Sequence, residues 1–196
     1  YTLGKYIEYL ITKKIRYAIT ASTGIAASHL DGMTIHSWAG IGINDDLTTK
    51  QMAHIKEKRP NLQVTAVLII DEVSMLHAKQ FELLNKVLKY CRNSSEPFGG
   101  IQLVVCGDFF QLPPVDKGEL AGDKKFSFMS PCWIEAGFNV CYLTTQYRQG
   151  KDALNDILNE IREGKVSKES INIILQTKSN SIKETELTKL YTHNVD

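Results

Sequence analysis

Asp71 and Glu72 stand side by side at the end of Val67-Leu68-Ile69-Ile70, and two acids placed so abruptly after an apolar run suit phosphoryl chemistry. Four consecutive apolar residues suit a strand buried on both faces. The switch to carboxylates suits the carboxyl edge of a parallel sheet, where α/β proteins bind ligands. On such an edge one carboxylate can support Mg²⁺ between nucleotide phosphates while its neighbour orients the attacking water. Asp71 is the metal candidate and Glu72 the water candidate, although the same pair also fits a strand that enters a solvated turn. The next apolar run, residues 101–106, leads into Gly107-Asp108-Phe109-Phe110-Gln111-Leu112-Pro113-Pro114-Val115. Gly107 permits a close backbone turn, and the two prolines fix φ and remove two donors. That would hold Gln111 in a rigid loop, where a neutral amide can touch both a phosphate oxygen and the attacking water. The plainer alternative is that Gln111 satisfies loop backbone.

Positioning these groups requires a scaffold, and helix-like and strand-like pieces alternate as in an α/β domain with a mainly parallel sheet covered by helices on both faces. Helices are expected over residues 1–14, 24–30, 50–58, 79–91, 131–136, 152–162 and 168–176. Strands are expected over residues 17–21, 66–70, 101–106 and 139–143. In 79–91 the residues Phe81, Leu84, Val87 and Leu88 recur at spacings of three and four, so one face packs on the sheet. Residues 93–100 read as a turn-rich link, and 116–127 and 179–186 as loops.

Two further groups have DNA-facing chemistry. Ser22-Thr23-Gly24 follows a strand and opens a helix, so its hydroxyls and backbone amides can hold a DNA phosphate; the same residues also serve as ordinary N-caps. His36 and Trp38 lie in a short segment ending at Gly40, where an aromatic ring can stack on a base without reading its sequence. The alternative is a core tryptophan and a satisfied loop histidine.

Taken in order, Thr20-Ala21-Ser22-Thr23-Gly24-Ile25-Ala26-Ala27, Thr34-Ile35-His36-Ser37-Trp38-Ala39-Gly40, Ile70-Asp71-Glu72-Val73-Ser74-Met75, the 107–115 segment and Gln146-Tyr147-Arg148-Gln149 resemble PIF-type DNA helicases, superfamily-one motors of RecD-like type. Residues 81–92 followed by Pro97-Phe98-Gly99-Gly100-Ile101-Gln102-Leu103 resemble the stretch that separates PIF-type members from other RecD-like proteins. The resemblance implies a RecA-like P-loop NTPase fold. It further implies an ATP-dependent 5′-to-3′ helicase that uses ATP and Mg²⁺, grips single-stranded DNA and opens forked duplex, in DNA repair, recombination and telomere maintenance. Arg148 would reach the γ-phosphate as an arginine finger, and Tyr147 would stack on adenine or pack at a domain boundary.

The family's phosphate-binding loop, G-x-x-x-x-G-K-[ST], is expected directly before the first helix, and the chain opens inside that helix; Gly4-Lys5-Tyr6 does not fit the pattern. The reading is therefore of a first motor domain over residues 1–150 that lacks this loop and binds ATP poorly by itself. A helical extension over 151–196 would lead into a missing second motor domain. The alternatives are a RecD-like motor of a nuclease or conjugation assembly, and a non-hydrolysing DNA-binding pseudo-ATPase module. Charge adds little, since 23 basic and 22 acidic residues leave a net charge of +1. Cys91, Cys106, Cys132 and Cys141 show no C-x-x-C pair, so no zinc site is expected. No signal peptide or membrane span is visible, and a monomer in a reducing intracellular compartment is expected.

Overall fold

The acid-tipped run is the centre of the sheet. In the computed structural model, which describes residues 1–115, 122–145 and 152–179, four strands run parallel: β1 (Tyr17–Ala21), β2 (Met33–Thr34), β3 (Val67–Asp71) and β4 (Gln102–Val105). Their order is β2-β1-β3-β4. The described helices are α1 (Thr2–Thr12), α2 (Gly24–Ser28), α3 (Ile35–Ala39), α4 (Thr49–Lys58), α5 (Asn61–Val64), α6 (Ala78–Arg92), α7 (Pro131–Glu135), α8 (Ala153–Glu163) and α9 (Lys168–Gln176).

The alternation of a strand explains why β3 must be apolar throughout. Val67 and Ile69 pack with Leu10 of α1 and its neighbours Leu3, Tyr6 and Ile7 on one face. Leu68 and Ile70 join the larger core on the other, with Phe81, Leu84 and Leu88 of α6. Each such side chain stabilises the fold by roughly 1.5–3 kcal/mol through burial. The register pairs Ala21 with Asp71 and Ile70 with Val105, so β1, β3 and β4 end together at one edge.

The stretch 81–103 forms a clasp behind that edge. Asn85, buried in α6, accepts the Phe98 N–H at 2.8 Å. Arg92 donates through Nε to Gly99 O at 2.7 Å and through Nη1 to the carbonyls of Leu62, Gln63 and Thr65. One guanidinium thus ties the end of α6 to both α5 and the Pro97–Gly100 turn. Gly99 has φ +65°, and a Cβ there would lie 2.7 Å from Leu88 O and 2.8 Å from Arg92 Cδ. Gly99→Ala is therefore expected to destabilise the fold by about 1–3 kcal/mol or more, since backbone strain and the clash act together. An unchanged urea midpoint would show that the clasp can relax around the added methyl.

One sequence expectation fails. Residues 139–143 form no strand, and Val140, Tyr142 and Leu143 are 66%, 86% and 80% exposed. Apolar β-formers become a strand only by joining a ladder, and these pair with no described strand. Residues 122–125 form a short 3₁₀ turn within the expected 116–127 loop, and 127–129 form another at its end; residues 116–121 lie outside the described set.

Contacts divide the chain into Tyr1–Val140, which holds the sheet, and Cys141–Asp196. In the second unit Asp152 caps α8, Ser167 caps α9, and Glu160 accepts the Ser167 N–H at 2.7 Å. Among the described residues no helix is long and apolar enough to cross a membrane.

Candidate functional site

The shared edge of β1, β3 and β4 is where the polar segments emerge. Asp71 closes β3, half-buried, and its Oδ1 accepts the Glu72 N–H at 3.0 Å. Glu72 then turns the chain sharply with φ 52° and ψ 41°, a left-handed conformation that a long side chain adopts only when its surroundings hold it there. Those surroundings are visible. The Val73 N–H donates to Cys106 O at 2.9 Å, the Met75 N–H donates to Glu72 O at 3.1 Å, and Ser22 Oγ–H donates to the same carbonyl at 2.7 Å. Backbone strain at an acid on a sheet edge is a mark of functional sites.

The β4 loop comes up beside it. A Cβ on Gly107 would lie 3.1 Å from the backbone nitrogens of Val73 and Ser74, so the absence of a side chain lets the two post-strand turns touch. Asp108 then organises the loop by accepting the Phe110 N–H through Oδ1 and the Gln111 side-chain amide through Oδ2, each at 3.1 Å. Gln111 is exposed, and with its amide N–H₂ directed to Asp108 its carbonyl oxygen is oriented as an acceptor. Phe109 anchors the loop from below, edge-on to Phe126 and Phe128.

Magnesium fits this donor set in one particular way. No group of three or more His, Cys, Asp or Glu residues suited to a metal occurs among the described residues. A lone strand-tip carboxylate suits an ion that keeps its waters and takes the rest of its ligands from nucleotide phosphates. Burial pushes the neighbouring Cys106 thiol up, and the charge of Asp71 adds to the effect. Burial pushes Cys132 further, to about 12. Cys141 is exposed while Cys91 and Cys132 are buried. In the native protein at pH 8, Cys141 is thus expected to react first with a disulfide reagent, and Cys132 only on unfolding. Rapid modification of Cys132 mapped by mass spectrometry would overturn that order.

The DNA-facing candidates divide. Ser22 spends its hydroxyl proton on Glu72, which sequence alone did not reveal. Thr23 caps α2 by accepting the Ala26 N–H at 3.3 Å, a role that leaves its own O–H for another acceptor. A Cβ on Gly24 would meet nothing within 4 Å, so the approach there is open. His36 lies on α3 with Nε2 2.7 Å from Gln80 Oε1. Trp38 is only 4% exposed and belongs to the core, so as placed it offers no face to a base. Its position on a helix turned inward, rather than in a loop, is the reason. Tyr147 and Arg148 lie outside the described residues. The residues missed by sequence reasoning are Asp108 and Gln80, which hold Gln111 and His36. The three-residue spacing of Asp108 and Gln111 was the available sign of the first.

A family model for PIF1-like helicase matches residues 1–186. The chain is 52% identical to the ATP-dependent DNA helicase Pif1 of Psychrobacter sp. (strain PRwf-1), over all of this chain and 31% of that protein. Its fold matches the crystal structure of Pif1 helicase from Candida albicans with a TM-score of 0.80 and 38% identity, over 94% of this chain and 42% of that one. The Bacteroides Pif1 crystallised with ADP-AlF3 and ssDNA matches with a TM-score of 0.73 and 32% identity, over 85% of this chain and 41% of that one. The chain spans between about a sixth and a third of the length of the curated relatives it matches.

Proposed function

The chain belongs to the PIF1-like helicase family, and from that premise we propose that the full-length protein is an ATP-dependent DNA helicase that translocates 5′ to 3′ on single-stranded DNA and opens forked duplex. One observation carries the reading at the residue level. β1, β3 and β4 deliver Ser22–Gly24, Asp71–Glu72 and Gly107–Gln111 to a single sheet edge, with Glu72 held in a strained turn. The relatives support it by what they are: one is named an ATP-dependent DNA helicase, and another was crystallised with ADP-AlF3 and ssDNA.

In this reading Asp71 would hold the Mg²⁺ that accompanies ATP, and the ion would supply positive charge against that developing on the phosphates. Glu72 orients the attacking water and draws off its proton. Gln111, held by Asp108, offers its carbonyl oxygen to that water. The family resemblance would give Arg148 the γ-phosphate and Tyr147 the adenine, with a second motor domain closing over the nucleotide. Thr23, Gly24 and His36 grip the strand through its backbone, so specificity for base sequence is low. The family match favours this over a RecD-like motor of a nuclease assembly.

The deciding experiment measures ATP turnover by the full-length protein with and without single-stranded DNA, and displacement of a labelled strand from 5′-tailed and 3′-tailed duplexes. Stimulated turnover with opening of the 5′-tailed substrate is expected. DNA binding without any turnover would overturn the motor reading in favour of a non-hydrolysing module.

A further inference from the structure

We propose that Ser22 is a positioning residue for Glu72, and that its hydroxyl links the DNA-facing segment after β1 to the water-orienting acid after β3. The proposal rests on the assignment of Glu72 above. It starts from the two bonds that Ser22 makes across the sheet edge. Its N–H donates to Asp71 O at 3.1 Å, the last rung of the β1–β3 ladder, and its Oγ–H donates to Glu72 O at 2.7 Å.

The second bond falls at the point where the backbone is least comfortable. Glu72 is one of the few non-glycine residues here with positive φ, a conformation that costs about 1–3 kcal/mol unless neighbours impose it. Its carbonyl accepts from Ser22 and from Met75, and of these two bonds the Ser22 one comes from a separate segment, the turn after β1. A shift of the 22–24 segment therefore moves the carbonyl of Glu72, and a rotated peptide redirects the side chain attached to it. Ser22 adjoins Thr23, which caps α2, and lies two residues before Gly24, which faces open space. DNA that draws this segment forward would reach the acid through a single hydroxyl.

The alternative is that Ser22 contacts DNA itself. Phosphate oxygens only accept hydrogen bonds, and the hydroxyl proton of Ser22 is already given to Glu72. The roles compete for one proton, which makes them separable by experiment.

Thr20 supplies the matched control. Its Oγ1–H donates to Ile69 O at 2.7 Å, the same kind of β1-to-β3 bond one turn of the pleat further back, fully buried and away from the acid. The test compares wild type, Ser22→Ala, Ser22→Thr and Thr20→Val in the full-length protein. Two quantities are read: the affinity for single-stranded DNA with and without a non-hydrolysable ATP analogue, and the kcat and KM for ATP with and without DNA.

Coupled sites typically change each other's affinity by roughly 5- to 150-fold. In Ser22→Ala that ratio is expected to fall toward one, and the DNA-stimulated kcat to fall with the KM for ATP held, while DNA affinity without nucleotide is kept. Ser22→Thr, which restores a hydroxyl, recovers both, and Thr20→Val keeps both. If Ser22→Ala behaves as Thr20→Val does in a wild type that is stimulated by DNA, the proposal is wrong while the helicase reading stands. If Ser22→Ala loses DNA affinity even without nucleotide, Ser22 is a phosphate ligand and the positioning role is overturned. A wild type with neither stimulation nor coupling overturns the helicase reading, and this inference with it.

Discussion

Glu72→Gln in the full-length protein is expected to cut single-strand-stimulated ATP hydrolysis by about 10²- to 10⁴-fold, the range that a positioned acid–base group contributes. The substitution keeps the side chain's size and the strained turn at residue 72, and it keeps the bonds that Ser22 and Met75 donate to the residue's carbonyl. It removes the charge and the capacity to take a proton from water. Because that interaction exists in the transition state and not in bound ATP, kcat should fall with the KM for ATP little changed. Asp71→Asn makes the complementary case. Its loss is expected in Mg²⁺-dependent nucleotide binding, since in the proposed reading Asp71 would support the ion. Steady-state rates across a Mg²⁺ series, at saturating DNA, separate the two. A Glu72→Gln protein that turns over at the wild-type rate would remove Glu72 from the chemistry and leave its strained backbone as a structural turn only.

The parts of this site that were legible in sequence are those set by local pattern. Four apolar residues followed by two acids specify a doubly buried strand with a polar tip, and the observed β3 is covered by α1 on one face and α6 on the other. The three-and-four spacing of Phe81, Leu84, Val87 and Leu88 likewise gave α6, and each of the four is buried. What local pattern could not specify is pairing across the chain. The Ser22–Glu72 bond joins residues 50 positions apart, and only the register of β1 against β3 brings them together. The clasp made by Asn85 and Arg92 is of the same kind: Arg92 donates to carbonyls in α5 and in the Pro97–Gly100 turn, and Asn85 accepts from that turn. Residues 139–143 fail for the converse reason. Their composition suits a strand, but composition does not supply a neighbour.

Trp38→Ala is expected to destabilise the fold by about 3–5 kcal/mol, the usual cost of deleting a buried aromatic side chain. Domain stability is commonly about 5–15 kcal/mol, so this single change could remove much of the margin. The expectation follows from placement: Trp38 is 4% exposed on α3 and shares a core with Ile35, Ile41 and Leu68. Arg59 Nη1 donates to the Trp38 carbonyl at 3.3 Å, a bond that survives the substitution, so the loss measured is that of the indole. Urea unfolding and single-strand affinity, followed in parallel, distinguish the two roles that the sequence allowed. A core tryptophan gives a large drop in midpoint with the affinity of the folded molecules kept, and Trp38→Phe recovers part of the midpoint. A stacking tryptophan gives the opposite, an unmoved midpoint with about 1–3 kcal/mol lost for each base unstacked. The contrast with His36 sharpens the point, because the two residues sit two positions apart on one short helix. A helical step of two residues turns a side chain by roughly 200°, so a segment that buries Trp38 must carry His36 toward the other side. There its imidazole is half-buried against Gln80 rather than in the core, and any contact that α3 makes with DNA has to come from that side.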